Sequence, residues 1–149
     1  MKATITFLLT ILFISNTNAQ APAIEWQKSL GGTAGESASS IQPSSDGGYI
    51  VAGNSSSLNG DTTGNHGGSD CWIIKLDATG IIQWQKSLGG SSPDYASAIQ
   101  NTPDGGYIMA GYTQSINGNV TGNHGLTDYW VVKLNAIGTI QWQKTLGGS

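Results

Sequence analysis

The sequence has no arginine and a single cysteine, and charged residues make up only 10% of its 149 positions. Six lysines against nine aspartates and glutamates leave a formal net charge of −3. Nucleic-acid binding relies on grouped basic residues that neutralise phosphates, so this composition argues against a nucleic-acid partner. Cys71 has no second cysteine with which to form an intramolecular disulfide, and we expect it to be a packed thiol.

Long hydrophobic runs are also lacking after the first residues of the chain. Met1 and Lys2 give a positive start, residues 3–14 are mostly apolar, and small or polar residues follow up to Ala19. This order is typical of a secretory signal peptide, and about a dozen apolar residues are too few to span a bilayer. We therefore predict a signal peptide over 1–19 with cleavage after Ala19. The mature protein is then secreted, extracellular or on the cell surface, and it does not span a membrane.

An internal repeat of 58 residues dominates the mature region, 20–149. Trp26, Trp84 and Trp142 are spaced by 58 positions, and each stands in the string Trp-Gln-Lys-Ser/Thr-Leu-Gly-Gly. Comparing 24–81 with 82–139 without a gap gives identical residues at 33 of 58 positions. A fixed period of this length is a signature of propellers, solenoids and other repeat architectures.

Each full repeat has the pattern of four short β-strands, and 140–149 begins a third copy. We predict strands at 24–30, 39–44, 49–53, 72–76 and 82–88, with counterparts 58 residues later. Asp46 and Asp104 each open an Asp-Gly-Gly turn, because aspartate and glycine tolerate the backbone angles of tight hairpins. Trp72 and Trp130 each open an alternating third strand, with Ile73 on the opposite face from Trp72. No segment after residue 19 has a helical pattern.

The fold class predicted from these patterns is all-β. Four antiparallel strands per repeat is how a propeller blade is built. We predict two four-stranded propeller-like blades, over 37–88 and 95–146, plus an N-terminal strand at 24–30. Because a closed propeller usually needs at least four blades, we expect the chain to be a fragment of a larger propeller. Assembly of several copies and open packing of two sheets are the alternatives, and we expect self-association if the chain is complete.

The recurring strings also carry a resemblance. Trp-Gln-Lys-Ser-Leu-Gly-Gly, Asp-Gly-Gly-Tyr-Ile and Asp-Xaa-Trp-Ile/Val-Ile/Val-Lys-Leu resemble the β-propeller-type repeats of secreted bacterial surface proteins, which are common in bacteria with a type IX secretion system. The three strings recur in order over 24–149. The resemblance implies a blade fold and export, and it brings no catalytic residues. Such proteins usually end in a C-terminal sorting domain, which this sequence lacks, as expected of a truncated chain.

Two polar loops, 59–70 and 117–128, are the candidates for a metal site. Asp61, Asp70 and Asp128 offer carboxylates of the kind that bind Ca²⁺ in oxygen-rich loops. The spacing is not that of an EF-hand, and Asn119 replaces Asp61 in the second copy. The alternative, which we favour, is that the loops form turns and that Asp70 and Asp128 cap them. No other cofactor is predicted.

The remaining candidates each have a structural alternative. His66 and His124 stand alone, whereas zinc needs three or four ligands, so we expect turn or packing histidines. Trp26, Trp84, Trp142, Trp72 and Trp130 could stack on sugar rings, but their places in alternating strands favour packing between blades.

Catalysis has little support in the sequence. No serine lies in a nucleophile-elbow pattern, and we expect Glu36 and Asp94 to be solvated turn residues rather than an acid–base pair. We therefore predict a secreted, non-enzymatic structural or interaction module whose partner the sequence leaves open, with a protein or a glycan as the candidates. A carbohydrate-binding module and an accessory region of a larger exported enzyme are the alternatives.

Overall fold

The computed structural model describes residues 20–148. The predicted signal peptide, 1–19, lies outside these described residues. The described chain is all-β, as predicted, with eight strands and no helix. The strands of the first half are β1 (Glu36–Pro43), β2 (Tyr49–Ser55), β3 (Asp70–Leu76) and β4 (Ile82–Leu88). Those of the second half are β5 (Asp94–Asn101), β6 (Tyr107–Thr113), β7 (Asp128–Leu134) and β8 (Ile140–Leu146). Between residues 20 and 148 there is consequently no helix long and apolar enough to cross a membrane.

The eight strands form two four-stranded antiparallel sheets, which confirms the predicted grouping. The first sheet has the order β1-β2-β3-β4 and the second the order β5-β6-β7-β8. Their registers correspond at an offset of 58 residues, since Glu36 pairs with Ser55 and Asp94 pairs with Thr113. Each sheet also has a register shift in its first strand pair, at Ala38 in the first sheet. The two halves therefore fold as local meanders that do not exchange strands.

The Asp-Gly-Gly segments form the predicted hairpin turns. Gly47 and Gly105 have φ angles of 82° and 78°, in the left-handed region that favours glycine. The carboxylates of Asp46 and Asp104 accept hydrogen bonds from the N–H groups two residues on, at 3.1 and 3.2 Å. The turn chemistry thus fixes the register of the first strand pair in each sheet.

The two sheets pack face to face around a shared apolar core. Side chains alternate along β3, so that Cys71 and Ile73 belong to this core while Trp72, Ile74 and Leu76 lie on the other face of the first sheet. The core is completed from the second sheet by β5, β6 and β7, and β5 lies against β1 and β2. Each face of the first sheet therefore has an apolar cluster of its own.

The prediction of a strand at 24–30 is wrong. Residues 20–32 have no regular secondary structure, although Trp26 and Leu30 do pack on the first sheet. Among the described residues no strand lies beside this segment to supply hydrogen bonds, so its apolar side chains bind the sheet while its backbone joins no ladder. The first strand of each sheet also begins three residues earlier than predicted, at Glu36 and Asp94.

Candidate functional site

The strongest difference between the two sheets lies on one face of the second. In the first sheet this face packs on the second sheet, and its apolar side chains are fully buried: Ile50, Ala52, Cys71 and Ile73. In the second sheet the corresponding residues are half-buried or exposed: Ile108, Ala110, Tyr129 and Val131. We call this surface, with Trp142, Lys144 and Leu146 of β8, the open face. Trp142 is 46% exposed and Leu146 is 54% exposed.

A row of tyrosines crosses one end of the open face. Tyr95, Tyr112 and Tyr129 are register partners on β5, β6 and β7, and Leu146 on β8 continues the row. The rings of Tyr95 and Tyr112 stack with centroids 5.0 Å apart, and Tyr129 is 75% exposed. The same row in the first sheet consists of Ser37, Asn54, Cys71 and Leu88. Because the fold forms without aromatic residues there, the tyrosines are a feature of the second sheet alone.

The repeated tryptophans Trp26, Trp84 and Trp142 differ in their cover, because the first two are half-buried and the third is exposed. Trp84 packs edge-on against Tyr107 of the second sheet with a centroid distance of 5.8 Å, and Trp26 packs in the same way on Tyr49. Trp142 is nearly half exposed on the open face. The packing role expected for this position thus describes the first two copies.

The other two tryptophans, Trp72 and Trp130, are buried. Each indole N–H donates a hydrogen bond to a glutamine side chain on the next strand, Trp72 to Gln85 at 2.8 Å and Trp130 to Gln143 at 2.7 Å. A buried indole whose N–H is satisfied is a packing element.

Asp46 and Asp104 have a second role besides their turns. Each forms an ion pair with the buried lysine of the third strand, Lys75 or Lys133, at 2.8 Å. The hydrogen bond from the lysine ammonium group holds the pKa of each aspartate below its usual range. The lysine amine also donates to the backbone carbonyl at the end of its strand. These charges therefore anchor the hairpin turns to β3 and β7.

The three calcium candidates do not form one cluster. Asp61 accepts a hydrogen bond from the Gly31 N–H at 3.0 Å, while Asp70 and Asp128 cap their loops. The N–H groups of His66 and His124 donate to Asp70 and Asp128 at 3.0 and 2.9 Å. Between residues 20 and 148 no three acidic, histidine or cysteine side chains come together as a metal site.

The histidines belong to these loop caps. Nδ1 of His66 lies 2.6 Å from Asp70 Oδ2, and Nδ1 of His124 lies 2.9 Å from Asp128 Oδ2. Each histidine therefore contacts the capping aspartate with both its backbone and its ring. Both are therefore turn histidines, as the sequence predicts.

A pair of buried carboxylates at the sheet junction was not foreseen from the sequence. Oδ1 of Asp70 and Oδ2 of Asp94 lie 2.8 and 2.5 Å from the position that a Cβ on Gly89 would take. Asp94 accepts a hydrogen bond from the Ser115 hydroxyl at 2.7 Å, whereas Oδ1 of Asp70 is buried without a hydrogen-bond partner. Burial raises the pKa of the Asp70 carboxyl.

The expectation that Glu36 and Asp94 are solvated turn residues is wrong. Asp94 is fully buried and Glu36 is half-buried. Their carboxylates accept hydrogen bonds from the second glycine of the preceding Gly-Gly pair, Gly32 at 3.2 Å and Gly90 at 2.8 Å. An acidic residue four positions after Gly-Gly in both copies is the sequence signal for this structural role.

The thiol of Cys71 is buried in the shared core, as expected. Burial raises its pKa well above the usual value, so that it carries no thiolate at neutral pH. The polar groups singled out from the sequence are thus engaged in holding turns and loops, and the apolar open face is what the fold leaves unused. No family model matches the chain, and no curated protein matches it.

Proposed function

We propose that this protein is an exported, non-enzymatic interaction module built from propeller-like blades, and that the open face is where it binds. The observation that carries the proposal is the contrast between two equivalent surfaces. Ala52 and Ile73 of the first sheet are fully buried, whereas Ala110 is exposed and Val131 is only half-buried. Contiguous exposed apolar surface on a folded domain marks an interaction site.

The blade reading is supported by the way in which the two sheets meet. Each is a four-stranded meander with apolar residues on both faces, and such a sheet needs a neighbour on each side. The second sheet covers one face of the first, and segment 24–30 covers part of the other. The proposed function extends this rule outward, because the open face is the one that has nothing beyond it among the described residues.

Export is proposed from the signal-peptide pattern of residues 1–19. Expression of the full chain in a bacterium with a general secretion pathway should release a product that begins at Gln20. Mass spectrometry of the exported protein checks the cleavage site, with a chain carrying Ala19→Tyr as the unprocessed control. A product that stays in the cytoplasm with its N-terminus intact would contradict export.

The binding role is tested by asking whether the open face is accessible in the mature chain. An environment-sensitive dye that binds exposed apolar surface, such as anilinonaphthalene sulfonate, should fluoresce with the folded parent. The variant Ala110→Lys should lose much of the signal, and Leu58→Lys, in an exposed loop, should keep it. Equal dye signals from the parent and Ala110→Lys would show that the open face is not the accessible apolar surface, and would contradict the proposal.

A second candidate, carbohydrate binding, is favoured by the tyrosine row. Aromatic rings aligned across adjacent strands present flat apolar surfaces with hydroxyl tips, on which the C–H faces of sugar rings can stack. Neighbouring strands lie about 4.8 Å apart, so three ring positions span roughly 10 Å. Retardation of the mature chain in gels containing a soluble β-glucan, lost in Tyr112→Ala, is the expected result. Equal mobility with and without a panel of polysaccharides would rule this candidate out.

A further inference from the structure

The junction between the two sheets shows which side chains cover the face of a sheet when a neighbouring sheet packs on it. On the second sheet, the face carrying Trp130 and Val132 is covered by the first sheet and is fully buried. Trp84 and Leu88 of β4 cover one side of it, and Trp84 reaches to 2.8 Å from the position of a Cβ on Gly138. Ile50, Ala52 and Ile73 cover the rest of this face.

The corresponding face of the first sheet is only half covered. Trp26 takes the place of Trp84, packing on Tyr49 and lying 2.9 Å from the position of a Cβ on Gly80. Leu30 takes the place of Leu88. Segment 24–30 therefore occupies, on the first sheet, the position that β4 occupies on the second.

The connection that follows segment 24–30 is held by equivalent hydrogen bonds in both copies. Asp61 N–H donates to the Gly31 carbonyl oxygen at 2.9 Å, and Asn119 N–H donates to that of Gly89 at 2.8 Å. Thr33 N–H donates to Asn59 Oδ1 at 3.0 Å, as Ser91 N–H does to Asn117 Oδ1 at 2.9 Å. Residues 24–34 thus dock on the first sheet as 82–92 dock on the second.

The other half of this face is an apolar groove of about 380 Å³. Its lining includes Ile41, Val51, Trp72 and Ile74. Ile41 is 55% exposed, whereas its counterpart Ile99 at the internal junction is 1% exposed. The groove on the first sheet is consequently the equivalent of the space on the second sheet that Ile50, Ala52 and Ile73 fill.

We propose that this groove binds the open face of a second copy of the chain, head to tail. Ile108, Ala110 and Val131 of the open face correspond at the 58-residue offset to Ile50, Ala52 and Ile73, which fill the equivalent space inside the molecule. The second copy then repeats the internal junction between two chains. This inference rests on the proposed function, because it names the partner that the open face takes.

Docking in this register requires segment 24–30 to give way. The incoming β8 has the sequence Ile-Gln-Trp-Gln-Lys-Thr-Leu against Ile-Glu-Trp-Gln-Lys-Ser-Leu in 24–30. Trp142 and Leu146 of the second copy therefore replace Trp26 and Leu30 nearly like for like. Because segment 24–30 joins no strand ladder, its release breaks no sheet hydrogen bonds. The net gain is the burial of the groove against Ile108, Ala110 and Val131 of the second copy. Segment 24–30 therefore acts as a competitor that weakens self-association.

The tyrosine row sets a second limit on this junction. Cys71 is fully buried at the internal junction, and the corresponding Tyr129 is a much larger side chain at the rim of the open face. The tyrosine ring has to turn aside as the second copy docks, which opposes association. A smaller residue at position 129 should therefore tighten the contact, whereas non-specific adhesion of apolar surface would be weakened by the same change.

The decisive experiment mixes two variants of the mature chain, 20–149. Ile41→Lys blocks the groove and Ala110→Lys blocks the open face, and both positions are exposed in the single chain. Sedimentation velocity should show concentration-dependent association of the parent, weakened at least about tenfold in each variant by the buried lysine. An equimolar mixture of the two should form a one-to-one dimer, because each variant keeps one intact face. Leu58→Lys is the control and should associate as the parent does.

Three results would overturn the proposal. The first is that the parent and Trp26→Ala both stay monomeric at every accessible concentration. Trp26→Ala loosens segment 24–30 and should strengthen association. The second is a mixture of the two blocked variants that fails to form the dimer, since this indicates a symmetric contact or none. The third is weaker association in Tyr129→Ala. If the dye still reports an accessible open face in any of these cases, the proposed function stands and only the identity of the partner is wrong.

Discussion

At the scale of the residue, Asp70 and Asp128 occupy equivalent positions with different electrostatic surroundings. Both cap their loops by accepting hydrogen bonds from a histidine. Asp70 also lies close to Asp94 at the sheet junction, and burial raises the pKa of the Asp70 carboxyl. Hydrogen bonds from His124 instead hold the pKa of Asp128 below its usual value. The pKa of the capping aspartate is thus shifted in opposite directions in the two copies.

Asp70→Asn should raise the melting temperature at pH 7. A folded-state pKa above the ordinary value means that the carboxyl favours folding at low pH and that this contribution is lost as pH rises through the folded pKa. The substitution removes a buried charge beside Asp94, and an amide can donate to that carboxylate. Thermal melts should show the gain shrinking toward pH 4.

Asp128→Asn is the matched control and should act in the opposite direction. A lowered folded-state pKa stabilises the protein above the ordinary pKa, and the contribution is lost as pH falls through the folded pKa. Asp128→Asn should therefore lower the melting temperature at pH 7, with the deficit closing in acid. A loss of stability at pH 7 in both variants would show that Asp70 acts only as a loop cap.

Gly48 is a residue whose lack of a side chain the fold requires. A Cβ at this position would overlap the carbonyl oxygen of Leu76 and approach the amine of Lys75. Gly48→Ala should therefore destabilise the protein by about 1–3 kcal/mol, the range for an overpacked site. Gly35→Ala is the control, since nothing lies within 4 Å of a Cβ there. Chemical denaturation of the two variants measures the difference, and equal midpoints would contradict the close approach.

At the scale of the element, the fourth strand of one sheet serves as a clamp on the next. Trp84 lies in β4 of the first sheet, yet its ring packs on Tyr107 and Gly138 of the second. The packing of two sheets is thereby tied to the strand that leads from one to the other. This arrangement accounts for the repetition of the Trp-Gln-Lys string at the end of each unit.

The tryptophans of the three Trp-Gln-Lys strings should contribute to stability according to what each one packs on. Trp84→Ala should destabilise by about 3 kcal/mol, near the lower end of the range for losing a large buried aromatic residue. Trp26→Ala should have a smaller effect, because segment 24–30 joins no sheet. Trp142→Ala, at an exposed position, should change the free energy of unfolding by less than about 1 kcal/mol. Urea denaturation checks this order, and equal effects at all three positions would contradict it.

The elements were largely predictable from the sequence, and the differences have physical causes. Strands two to four follow from period-two alternation bounded by glycine turns, which is a local signal. Segment 24–30 carries the same signal as β4 but has no neighbouring strand in the part of the chain that the structure describes, and the pairing of strands cannot be read from one segment. The buried Asp94 was misjudged for a similar reason, because burial beside Asp70 depends on how the two sheets stack.

At the scale of the whole molecule, the two sheets share one core rather than forming two independent units. Ile73 of the first sheet and Trp130 of the second belong to the same buried cluster, as do Leu88 and Ile99. A sheet separated from its neighbour would expose this cluster to water. The described chain should therefore unfold as one cooperative system.

Ile73→Ala tests this shared stability. The side chain is fully buried at the junction, and its truncation should cost about 2–5 kcal/mol. Hydrogen exchange measured by mass spectrometry should show faster exchange in the core strands of both sheets, since both lose the same support. Ile137→Ala, an exposed turn residue, should leave exchange unchanged. Faster exchange confined to β1–β4 would mean that the sheets are independently stable.

The equivalent docking of residues 24–34 and 82–92 has a consequence for how such a chain can change length. Each 58-residue stretch brings its own sheet together with the strand and glycine connection that seat the following sheet. Duplication or loss of a whole stretch in a gene therefore leaves every remaining sheet with a neighbour of the same shape, wherever the crossover falls within the stretch. An insertion of any other length leaves the units intact only where it falls in a loop between strands. Growth by unequal recombination in whole units is thus the route that the packing tolerates.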